Sequence, residues 1–164
     1  MSEPIHTVYL LLGSNLGDRI STLRHAREAI SDEVGPILLY SALYETAAWG
    51  VTHQPSFLNQ VLKVLTPFGA DEVLKMTQRI EQHLGRVRRE KWGSRVIDID
   101  ILYFDSETFQ SEHLTIPHPF LHERRFTLVP LAEIAPSYLH PVLKKTSRQL
   151  LEECRDELEV VKLV

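Results

Sequence analysis

The chain has one cysteine, Cys154, among 164 residues. A lone thiol excludes an internal disulfide and any zinc site built on cysteines, and it suits a reducing compartment. No apolar run reaches the length of a membrane span, and the Met1-Ser2-Glu3-Pro4 start lacks the positive segment of a secretory signal, so a cytoplasmic location is expected. There is no internal repeat and no low-complexity tract. The turn Gly13-Ser14-Asn15-Leu16-Gly17 lacks the Gly-Lys-Ser/Thr of a P-loop, so a nucleotide site here has to be built another way. Excess positive charge is missing as well: the formal net charge is −4, which argues against general polyanion binding, and no nucleic-acid partner is expected.

Within that acidic chain the positive charge is clustered. Arg86, Arg88, Arg89, Lys91 and Arg95 fall in ten consecutive positions, around Trp92. This basic stretch runs into Ile97-Asp98-Ile99-Asp100-Ile101-Leu102-Tyr103-Phe104. Side chains in a strand alternate between faces, so Ile97, Ile99 and Ile101 point one way and Asp98 and Asp100 the other. The two carboxylates then sit about 7 Å apart at their Cα atoms. Aspartate disfavours strands, and two of them in an apolar run call for a function. Paired carboxylates suit one or two hard cations such as Mg²⁺, which keep waters and take phosphate oxygens for the rest of their shell. Arginines beside them match phosphate bidentately. Together these predict a phosphate-bearing substrate.

Length fits one domain over residues 1–164. The spacing predicts a strand over 5–13, then a helix capped by Asp18 with Ile20, Leu23, Ala26, Ala29 and Ile30 inward, then strands over 37–45 and 57–65. A second helix follows, capped by Asp71 with Val73, Met76, Ile80 and Leu84 inward and Gly85 at its end, and then the aspartate strand. That order is β-α-β-β-α-β, the pattern of a ferredoxin-like α+β sandwich. A C-terminal extension, 105–164, holds a short hairpin, a helix near 147–154 and a last strand-like run, 158–164. Phe57 and Asn59 share a strand face and suit a flat heterocycle, although core packing of Phe57 is the plainer reading. His118 lies between Pro117 and Pro119. A non-catalytic nucleotide- or RNA-binding module of the same fold class is the competing reading; it does not need the aspartate pair.

These motifs resemble one family, the 6-hydroxymethyl-7,8-dihydropterin pyrophosphokinases of folate biosynthesis. The resemblance rests on Leu12-Gly13-Ser14-Asn15-Leu16-Gly17, Tyr44-Glu45-Thr46, Gln54-Pro55-Ser56-Phe57-Leu58-Asn59, Glu81 through Arg86, Trp92-Gly93-x-Arg95-x-x-Asp98-x-Asp100-Ile101-Leu102, Pro117-His118 and Arg124-x-Phe126. It implies pyrophosphate transfer from ATP to the pterin hydroxymethyl group with release of AMP. Asp98 and Asp100 are implied as ligands of two Mg²⁺ ions, and Arg86 and Arg95 as catalytic arginines of a loop closing over ATP. Gln78, Glu81, Arg88, Trp92, Ile101, Thr115, His118 and Arg124 are implied on the ATP side. Thr46, Trp49, Phe57, Asn59 and Phe126 are implied around the pterin. A monomer or weak dimer is expected. The chain departs from the family pattern at Ala47-Ala48, His113 and Pro119, where no family contact is carried over.

Overall fold

The computed structural model describes residues 4–47, 56–86 and 96–163, with the side chain of Arg86 outside the description. Trp49, Arg88, Trp92 and Arg95, each expected at the site, lie outside the described residues.

Strand β1 (His6–Ser14) leads into helix α1 (Arg19–Glu33), β2 (Ile37–Tyr40), β3 (Tyr44–Thr46), β4 (Phe57–Thr66), helix α2 (Ala70–Arg86) and β5 (Asp98–Phe104). The extension supplies a small hairpin, β6 (Phe109–Gln110) and β7 (Thr115–Ile116), a 3-10 turn at Leu121–Glu123, helices α3 (Arg125–Ile134) and α4 (Ser147–Glu153), and β8 (Val160–Lys162). The main sheet is antiparallel in the order β5-β1-β4-β3-β8, with β2 also paired to β4.

The single strand expected over 37–45 is two strands. Between them Ser41 takes over the hydrogen bonding of the ladder: its Oγ accepts from Val61 N at 3.0 Å and donates to Ala42 O at 2.8 Å. Its carbonyl accepts from Gln60 Nε2 at 2.7 Å. Ala42 N turns away to Glu133 Oε2 on α3, at 3.1 Å. A short polar side chain has here displaced regular pairing.

Helix α1 starts where Asp18 accepts from Ser21 N at 3.1 Å, the expected cap. Its buried stripe is Leu23, Ala26 and Ile30, whereas Ile20 is 57% exposed. Helix α2 buries Val73 and Ile80 as expected, but it starts at Ala70 and runs to Arg86, so Asp71 lies in its first turn instead of capping it, and Gly85 lies inside it. Both helices cover one face of the sheet, against Val8, Leu10, Leu12, Leu62, Ile99 and Ile101. On the other face α3 and α4 form a second core with Tyr9, Leu11, Val61, Leu102 and Tyr103. The register shift between Tyr9 and Leu10 on β1 lets β5 deliver both Leu102 and Tyr103 to this second core. The extension is therefore half of the sandwich. It covers part of that second face and leaves the rest open, above the ends of β1, β4 and β5. Among the described residues, no helix is long and apolar enough to cross a membrane.

Candidate active site

Residues directly opposite in an antiparallel pair point to the same face. Asp98 lies opposite Gly13, Gly13 opposite Asn59, and Asn59 opposite Tyr44. Two residues further along each strand, and so on the same face, Asp100 lies opposite Leu11 and Phe57 opposite Thr46. The register thus sets both aspartates, Gly13, Asn59, Phe57 and Thr46 on one sheet face. That face is the floor of a cleft of about 660 Å³. Ile99 and Ile101, alternating with them, are 5% and 4% exposed on the opposite face, while the aspartates are half-buried. The alternation expected from the sequence is what splits this strand into a core side and a cleft side.

The roof comes from the extension. Phe120, Glu123, Arg124 and Phe126 line the cleft from the segment that enters α3. The Arg124 guanidinium carbon lies 4.9 Å from the Phe120 ring centre and 5.7 Å from that of Phe126, so the cation is held by two aromatic faces. The approach to this segment is docked on β5, where His118 N donates to Leu102 O at 3.1 Å. The Ile116–Pro117 peptide bond is cis.

Asn59 is 4% exposed, and its Nδ2 donates to Leu12 O at 3.2 Å. That bond fixes which way the amide faces and turns its carbonyl oxygen away from Leu12 O. Gly13 makes room for it: a Cβ there would meet Asn59 Nδ2 at 2.8 Å. Arg19 Nη1 on α1 donates to Glu45 Oε2 at 2.8 Å and to Ser56 O and Oγ at 2.9 Å. This ties the end of β3 to the start of β4. The bond from Arg19, followed by that from Ser56, holds the Glu45 carboxyl below its usual range.

The other implied ATP-side residues among the described ones do not line this cleft. Gln78 is exposed on α2. Glu81 Oε2 accepts from Ile99 N at 2.8 Å, satisfying the outer edge of β5. The Ile101 side chain belongs to the core. Thr115 and His118 line a second cavity of about 310 Å³ on the β6–β7 side. His118 joins the two regions electrostatically, with the Asp100 carboxylate and the Arg124 guanidinium acting on it in opposite directions. Burial, the largest influence, together with Arg124 outweighs Asp100 and lowers its pKa, so the ring is neutral near pH 7. Its Nδ1 accepts from Phe120 N at 3.2 Å, which leaves the proton of the neutral ring on Nε2.

Leu11, Gly13, Ala47, Phe120, Glu123, Asp156 and Leu158 also line the cleft and were not singled out for it. For Leu11 and Gly13 a signal existed, because they share the period-2 face of β1. For Asp156 and Leu158 none did, since their place depends on which strand edge the tail joins.

Two carboxylates facing an open cleft offer hard oxygen ligands. Among the described residues, no group of three or more His, Cys, Asp and Glu is arranged to hold a metal ion. A cation here would take most of its shell from water and substrate oxygens, which fits the habit of Mg²⁺.

A family model described as 7,8-dihydro-6-hydroxymethylpterin-pyrophosphokinase (HPPK) matches residues 9–136. A protein of Aquifex aeolicus (strain VF5) named 2-amino-4-hydroxy-6-hydroxymethyldihydropteridine pyrophosphokinase is 44% identical over 147 residues, 90% of this chain and 91% of that protein. A protein of the same name from Methylorubrum extorquens is 45% identical over 129 residues, 78% of this chain and 82% of that protein. Among solved structures, wild-type Plasmodium falciparum HPPK-DHPS superposes with a TM-score of 0.78 at 18% identity, covering 93% of this chain and 45% of that one. This chain spans less than half of that solved chain, and the likeness is one of fold.

Proposed function

The chain belongs to the 7,8-dihydro-6-hydroxymethylpterin-pyrophosphokinase family, and on that premise we propose that it transfers pyrophosphate from ATP to 6-hydroxymethyl-7,8-dihydropterin in folate biosynthesis. The hydroxymethyl oxygen attacks the β-phosphorus of ATP. The bond from that phosphorus to the α,β-bridging oxygen breaks, AMP leaves with the oxygen, and the hydroxyl proton is lost. The observation that carries this reading is the shape of one cleft, with Asp98 and Asp100 at one side of its floor and Phe57 and Asn59 at the other.

Phe57 and Phe126 are the stacking surfaces for the flat pterin. Asn59 and the backbone around Thr46 and Trp49 read its edge, and the fixed Asn59 amide supports that role. Asp98 and Asp100 would hold two Mg²⁺ ions, which when bound neutralise phosphate charge and align donor with acceptor. Arg124, which lines the cleft, is assigned to phosphate oxygens, Arg86 and Arg95 are the catalytic arginines, and Arg88 and Trp92 complete the ATP side with Gln78, Glu81, Ile101, Thr115 and His118. Excluding water protects the transfer from hydrolysis.

The strand order supports reading β2 and β3 as one interrupted strand of a ferredoxin-like βαββαβ sandwich with a C-terminal extension. We read residues 1–164 as one pyrophosphokinase domain, a cytoplasmic monomer or weak dimer that binds no nucleic acid. Incubation with ATP, Mg²⁺ and the reduced hydroxymethylpterin is expected to yield AMP. Asp98→Ala and Asp100→Ala each lose at least about two orders of magnitude in rate while remaining folded. ADP as product, or full activity in either variant, would refute the reading.

A further inference from the structure

We propose that the C-terminal tail, residues 154–163, is a wall of the substrate cleft, with Leu158 setting the fit of the flat acceptor and Asp156 acting as a positioning residue for the roof. The proposal rests on the pyrophosphokinase reading for the identity of that acceptor. The tail lies beyond residue 136, where the family match ends.

Burial along the tail alternates. Cys154, Asp156, Leu158 and Val160 are half-buried, and Arg155, Glu157 and Glu159 between them are exposed. That is the signature of an extended segment with one face applied to the molecule. The applied face includes Asp156 and Leu158, and both line the cleft. The tail then becomes β8, pairing Val160 with Thr46 and Lys162 with Tyr44, and Leu163 N donates to Leu43 O at 2.9 Å.

Asp156 connects this tail to the roof. Its Oδ2 accepts from Arg125 N at 3.0 Å, and its Oδ1 accepts from Leu158 N at 3.0 Å. Arg125 is the first residue of α3, and Arg124 at the cap position makes no side-chain capping bond. The first N–H groups of a helix have no partner within it, and a carboxylate there is favoured by the helix dipole. Asp156 supplies from a distant part of the chain the cap that α3 lacks. Because Arg124 and Phe126 flank the capped residue, the bond fixes the backbone that carries both roof side chains. Through Leu158 and β8 the same carboxylate is linked to Thr46 on the floor. Both of its oxygens are engaged by backbone, so Asp156 sets the spacing of floor and roof, and Leu158 supplies the apolar contact.

The test is steady-state kinetics with Asp156→Ala, Asp156→Asn, Leu158→Ala and Glu159→Ala, varying each substrate in turn. Alongside, calorimetric titration measures binding of the reduced hydroxymethylpterin in the presence of Mg²⁺ and a non-hydrolysable ATP analogue. Leu158→Ala is expected to raise the pterin KM and Kd about tenfold with the ATP KM within about twofold of the parent, and Asp156→Ala to raise the pterin KM and Kd about tenfold and, through Arg124, the ATP KM by less. Asp156→Asn keeps one oxygen for Arg125 N and recovers part of the loss. Glu159→Ala, on the exposed face, matches the parent. An unchanged pterin KM in folded Asp156→Ala and Leu158→Ala overturns the proposal. So does an equal rise in both KM values, or an asparagine variant no better than alanine. If the unaltered chain makes no AMP, the pyrophosphokinase reading falls by itself. The titration then still decides: pterin binding weakened by Asp156→Ala supports the tail's role, and binding that is absent or unaltered rejects it.

Discussion

Single residues in this site act through the space they leave as much as through the groups they bring. Gly13 faces the cleft between Asp98 and Asn59, and a methyl group at that position would lie 2.8 Å from Asn59 Nδ2. The end of an exposed side chain would simply move aside. Asn59 is buried, with that nitrogen bound to Leu12 O, so the amide must give up its hydrogen bond or tilt into the cleft. Gly13→Ala is therefore expected to fold, because its neighbours on β1 and β4 keep their pairing, and to raise the pterin KM about tenfold. Steady-state kinetics with ATP held saturating checks this, and an unchanged pterin KM would show that the orientation of Asn59 is immaterial. The aspartates illustrate the opposite case. Their placement was legible in the sequence, because alternation along an apolar strand needs nothing beyond the strand itself. The face of Gly13 followed from alternation along β1, but its place between Asp98 and Asn59 needed the cross-strand register, which a sequence does not state.

At the scale of elements, legibility followed the range of the interaction that decides each one. Helices α1, α2 and α4 were visible because caps and periodic faces are local, the cap in α1 and α4 and the apolar face in α2; α4 shows the reciprocal Thr146–Gln149 capping pair. The break between β2 and β3 was not visible, since it is made by Ser41, Gln60 and Glu133 acting across the sheet. After the Pro117 and Pro119 approach only a short helix was expected, and the extent of α3 to Ile134 was missed for a different reason. Pro130 sits inside it, and proline normally argues against a helix interior. What holds α3 is its packing: Leu128 and Leu131 are fully buried in the second core, and Glu133 accepts from the hydroxyl of Tyr44 on β3. Burial and that bond push the Tyr44 pKa up to about 12. Because tertiary contacts decide this helix, Leu128→Ala is expected to cost about 2–5 kcal/mol. A urea titration should show a lower midpoint with a single transition. Two separate transitions would mean that the extension folds apart from the sheet, contrary to its role as half the sandwich.

For the whole molecule, the response to acid is set by histidines that folding keeps neutral. His140 is 4% exposed, its Nδ1 accepts from Val142 N at 3.2 Å and Leu143 N at 3.0 Å, and its ring lies edge-on to Tyr103 and His122. Burial first, and the charge of His122 second, lower its pKa from 6.5 to about 4. His118 is shifted in the same direction, again mainly by burial. The unfolded chain takes up these protons near pH 6.5, and the folded chain refuses the one on His140 until about pH 4. The stabilisation is therefore complete above pH 6.5 and is lost as pH falls through that window. Protonation would also place a donor on Nδ1 facing two backbone N–H groups, which opens the turn after His140. The urea midpoint is expected to fall steadily between pH 7 and pH 4.5. In His140→Asn, whose side chain does not titrate, the slope over that interval should be clearly shallower, with the remainder due to His118. A variant with the parental slope would show that His140 does not govern the acid response, and the same titration on His118→Asn would then identify the group that does.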